Sequence, residues 1–75
     1  MVITNNIKVE KMVAKSNTDL ILEVIKPLKH GNVQTTARNI AVTYGRNYSH
    51  LIQAFKLLES QKYIKVSVMG EWKLI

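Results

Sequence analysis

Asn47-Tyr48-Ser49-His50, with Arg46 before it and Gln53 and Lys56 after it, concentrates hydrogen-bonding side chains within about three helical turns. Amides, hydroxyls and an imidazole at such spacing form and accept hydrogen bonds without needing to break a covalent bond. The pattern is one of recognition. Other chemistry is poorly supplied: His30 and His50 are the only histidines, no cysteine accompanies them, and no His-x-His or His-x-x-x-His spacing exists, so no metal is expected. Five carboxylates are scattered, with no Gly-rich phosphate loop and no paired nucleophile and base, so neither catalysis nor a cofactor is expected.

Eleven Lys and Arg against five Asp and Glu give a formal charge of +6, which attracts polyanions, and nucleic acid is the commonest of them. Charge alone also fits a protein that merely stays soluble. With 75 residues there is room for one core and no evident small-molecule pocket. Without cysteines that core rests on packing. No apolar run reaches the roughly 20 residues of a membrane span, and no signal-peptide core opens the chain, so an intracellular, cytoplasmic protein is expected.

The elements that must position the polar cluster follow from periodicity. Residues 1–16 form a segment of their own, open to three readings: a half-buried strand over Ile7 to Lys11, a mobile basic arm, or part of a dimer interface. Residues 17–75 form the main domain. Ser16 to Asp19 starts helix 1, expected over 17–30, with Leu20, Val24, Ile25 and Leu28 inward, Ile21 flanking them, His30 as a cation at its C-terminus and Gly31 as its left-handed stop. Val33 to Thr35 is a short extended piece. Thr36 caps helix 2, Ala37 to Tyr44; Gly45 ends it, Arg46 crosses a turn, and Asn47 caps helix 3, which runs to about Gln61. Ile40, Tyr44 and Leu51 are spaced to pin helices 2 and 3, and Phe55 and Leu58 line the inner face of helix 3. After Lys62 the period drops to two across residues 63–68 and 71–75, a hairpin turning at Met69-Gly70, with Trp72 beneath it against Phe55 and Ile64, and Tyr63 packed beside it.

The order helix, short strand, helix, turn, helix, hairpin, together with small Ala41 at a helix crossing and Gly45 at the turn, resembles the winged helix-turn-helix of small transcription regulators of the MarR and ArsR kinds. Compact versions occur in archaea, their viruses and phages. The resemblance covers about residues 17–75, and its pattern has no invariant signature. Arg46 departs from it, standing where an apolar residue is usual. Winged helices that recognise left-handed DNA are a poorer match. Their prolines before the wing Trp are missing, and Ile52 and Lys56 stand where an Asn and a Tyr would be.

The resemblance implies an α+β, mainly helical fold of three helices and a C-terminal β-hairpin wing. It implies a sequence-specific double-stranded DNA binder whose helix 3 enters the major groove, with Tyr48, Ser49, His50 and Gln53 as base readers. Arg38, Arg46 and Lys56 would meet phosphates near that helix, and Lys62, Lys65 and Lys73 would do so from the wing. Such proteins commonly bind as homodimers on palindromes, and here residues 1–16 and helix 1 are the expected dimer surfaces. The same fold also serves as a protein-contact module in transcription or replication assemblies, favoured by apolar Ile52 and Leu57, or as an architectural or recombination-accessory DNA binder.

Overall fold

The computed structural model describes residues 15–75, and the expectations for residues 1–14 lie outside it. The described chain is α+β and mainly helical, with three helices and one three-stranded antiparallel sheet. Helix α1 spans Asn17–Ile25, strand β1 His30–Asn32, helix α2 Val33–Tyr44, helix α3 Tyr48–Ser60, strand β2 Ile64–Val66 and strand β3 Glu71–Leu74. This layout is compatible with a winged helix.

Helix α1 starts where expected: the Ser16 hydroxyl accepts from the Asp19 amide at 3.2 Å, and Asp19 sits at the positive end of the helix dipole. It stops five residues earlier than expected. Leu28 and Lys29 both donate their amides to the Ile25 carbonyl, and Lys29, not Gly31, takes the left-handed conformation, at φ 75°. Pro27 has no amide to continue the ladder, which suits this early closure. Leu28 consequently falls off the buried face and is exposed, while Leu20, Ile21 and Ile25 enter the core.

The next boundary also moves. The extended piece is His30–Asn32, not Val33–Thr35, and helix α2 starts at Val33 with Asn32 as cap, its side chain accepting from the Thr35 amide at 3.0 Å. A second orphan donor of α2 is met from far along the chain, because Val33 donates to the Gly70 carbonyl at 2.8 Å. Thr36 lies inside the helix and is buried. Its hydroxyl accepts from the indole Nε1 of Trp72 at 2.9 Å.

Gly45 ends α2 in the left-handed region (φ 66°), and Asn47 caps α3 by accepting from the His50 amide at 3.1 Å, as the sequence implied. Helix α3 packs against both α1 and α2 through Leu51, Ala54, Phe55 and Leu58. Ile40 joins them, whereas Tyr44, expected to pin the helices, is exposed. Helix α3 closes with Lys62 in the left-handed region (φ 67°), where Tyr63 donates to the Leu58 carbonyl and Lys62 to that of Glu59.

The sheet order is β1-β3-β2, so β3 is central. Trp72 on β3 faces Gly31 on one side and Val66 on the other, and it is buried with Ile64 and Phe55. Gly31 leaves room for that contact, since a Cβ there would lie 3.0 Å from three indole atoms. Tyr63, expected to pack, is 52% exposed.

Candidate nucleic-acid interface

Successive helical residues are about 100° apart, so the burial of Leu51, Ala54, Phe55 and Leu58 fixes which side chains of α3 face outward. Ser49, Gln53, Lys56 and Ser60 form one exposed stripe opposite the core. His50 and Leu57 lie on one flank of that stripe. Tyr48, Ile52 and Glu59 lie on the other, beside the hairpin. Of the four expected readers, then, Ser49 and Gln53 are central, His50 is exposed but lateral, and Tyr48 is half-buried.

Tyr48 lies between a cation and an apolar groove. The Arg38 guanidinium from α2 sits 5.9 Å from its ring centroid, and the ring lines an open, mainly apolar groove of about 340 Å³ with Val33, Ile52 and Val66. That groove separates α3 from the hairpin. An exposed cation over an aromatic face contributes about 0.5–1 kcal/mol, enough to bias Arg38 toward the start of α3. Arg38 therefore presents positive charge beside the stripe.

Arg46 does something the sequence did not suggest: its Nη1 donates to the Asn17 side-chain oxygen at 2.7 Å, tying the turn between α2 and α3 to the start of α1. The half-buried Arg46 side chain is thereby accommodated at the turn. Lys56, on the stripe itself, is exposed. It stands between the hydrogen-bonding side chains and not around them.

On the sheet, alternation places Trp72 inward and Glu71 and Lys73 outward. Lys73 stands directly opposite Lys65 on β2 and opposite His30 on β1, so three basic side chains form one row across the three strands. His30 is thus in a strand, not at a helix terminus, and it completes a row of which Lys65 and Lys73 were expected. The next row toward the turn pairs Glu71 with Asn32. Lys62 precedes β2 and is exposed. The Lys15 ammonium pairs with Glu23 on the exposed surface, where such pairs contribute little.

The turn of the hairpin is bound tightly. Ser67 donates its amide to the Glu71 carbonyl at 2.8 Å and accepts from the Gly70 amide at 3.0 Å, while its hydroxyl accepts from the Met69 and Glu71 amides at 3.3 and 3.2 Å. Gly70 has φ 81°, the conformation expected of it. Among the described residues no group of three or more His, Cys, Asp or Glu could hold a metal ion, and no helix is long and apolar enough to cross a membrane.

Compared with protein-family models, with curated proteins and with solved structures, the chain matches none.

Proposed function

We propose that this chain is a sequence-specific double-stranded DNA-binding protein of the winged helix-turn-helix class, acting inside the cell as a transcription regulator. The observation that carries the reading is the exposed stripe Ser49, Gln53, Lys56 and Ser60 on a helix capped by Asn47 and backed by the core. A major groove admits an α-helix, and there Gln53 can pair two-pronged with adenine and Ser49 can donate or accept at a base edge. Lys56 adds a cation there, while Arg38, Arg46, Lys62, Lys65 and Lys73 supply or shape the phosphate contacts around it. His50 reads from the flank, and Tyr48 supports the start of the helix.

A single helix of this length reads few base pairs, so binding as a homodimer on a palindrome forms part of the proposal. Val24, Leu28 and Tyr44 border an open cleft between α1 and α2, which gives a second copy an apolar surface away from the stripe. Selection of bound duplexes from a random pool tests both parts, with an enriched palindrome as the expected result. On the selected site, Gln53→Ala should lose about 1–3 kcal/mol of discrimination against the altered base pair. Lys65→Ala should weaken selected and random duplexes alike and reduce the salt slope by about 1. No enrichment and no gel shift at low salt would overturn the reading.

Leu57, exposed on the flank of α3, favours one competing reading, a protein-contact module. A salt-insensitive protein partner lost on Leu57→Glu, with no duplex bound, would establish it.

A further inference from the structure

The geometry points to the Val68–Met69 tip as an apolar wedge that enters the minor groove of duplex DNA, unstacks a base step and bends the duplex. This inference rests on the DNA-binding reading above and adds an activity to it. Val68 is 105% exposed and Met69 81%, so neither side chain packs on its own protein. Single exposed apolar residues are ordinary, but these two are adjacent and held on a stiff support. The Ser67 main chain and hydroxyl together make four hydrogen bonds under them, and the Gly70 carbonyl, accepting from Val33, fixes the turn to the start of α2. A pair of apolar side chains is thereby presented at a set distance from the reading helix.

Charge around the tip selects its ligand. Lys65, Lys73 and His30 stand in one row across the outer face of the sheet, an arrangement that costs stability when like charges meet and is relieved by phosphates. Glu71, the one carboxylate of residues 63–75, stands one row nearer the tip. Phosphates therefore belong with the lysine row, and the tip itself suits the base stack between the two backbones. Side chains such as Met and Leu enter there in proteins that kink DNA from the minor groove. The anchored turn and the row behind it supply the two things such an insertion needs, a rigid wedge and a hold on the flanking backbone.

The test is ligase-catalysed ring closure of a mixed-sequence duplex of about 100 bp, shorter than the persistence length of about 150 bp, run beside a gel shift on the same duplex. Wild-type protein should accelerate closure by about tenfold or more. Val68→Ser/Met69→Ser should still shift the duplex, with an unchanged salt slope since it removes no cation, yet leave closure at the rate of bare DNA even at protein concentrations that saturate the shift. Val68→Ile/Met69→Leu should retain the acceleration. Binding without faster closure, or equal closure by the Ser variant, overturns the wedge and leaves the DNA reading standing. Absence of any gel shift overturns both. A fall in solution mass of the Ser variant by sedimentation would assign the tip to a second copy of the chain and overturn the wedge as well.

Discussion

The two faces of strand β3 are built in opposite ways. Inward, Trp72 is 1% exposed, bounded by Gly31 and Val66, and its one polar atom is satisfied by Thr36. Among the described residues no buried side-chain nitrogen or oxygen lacks a partner. Outward, one residue along, Lys73 faces Lys65 and His30, and no opposite charge meets it across the strands. The inner face is determined by shape and hydrogen-bond completion, whereas the outer face gathers basic side chains that no opposite charge answers across the strands.

Three substitutions test the claim for the inner face. Trp72→Ala removes the largest buried side chain and strands the Thr36 hydroxyl, so unfolding by urea should show a loss of about 3–5 kcal/mol, close to abolishing a fold this small. Gly31→Val forces a Cβ to within 3.0 Å of the indole and should cost about 1–3 kcal/mol by the same measurement. Thr36→Val keeps the shape but leaves the indole N–H buried without an acceptor, a loss of about 1–3 kcal/mol. If Thr36→Val is neutral, packing alone governs this face.

Those residues also show where sequence reasoning reached and where it failed. The strand period around Trp72 and the turn Gly45-Arg46-Asn47 were legible because both are written locally, in alternation and in cap chemistry. The start of α2 was not. Asn32 and Thr36 are both acceptable caps, and the choice is made by the Gly70 carbonyl and by pairing of His30–Asn32 with β3, partners remote in sequence. The same distance hid the link from Arg46 to Asn17 and the place of His30 beside Lys73. On α3 the local signal sufficed only in part. The cap and the helical period put Ser49 and Gln53 on one exposed stripe, but they also put His50 on its flank, Tyr48 beside the hairpin and Lys56 on the stripe itself, so the four expected readers do not share a face. Tyr44 and Leu28 differ from expectation because an apolar side chain one turn beyond the last packed position matches a core residue in period but lies at the rim of the cleft between α1 and α2, about half exposed.

The smallest effect is expected on the outer face, and its sign is what matters. Lys65→Thr removes one of two like charges placed directly opposite each other and substitutes a β-branched residue suited to a strand. Relief of such a pair is worth about 0.2–1 kcal/mol, so the variant should be slightly more stable to urea than wild type. The same variant should bind duplex DNA more weakly and with a salt slope smaller by about 1, because one phosphate contact is lost. Opposite signs in stability and binding separate a residue kept for a ligand from one kept for the fold. A Lys65→Thr protein that is less stable, or that binds duplex with an unchanged salt slope, would place Lys65 with Trp72 as a structural residue and remove the distinction between the two faces.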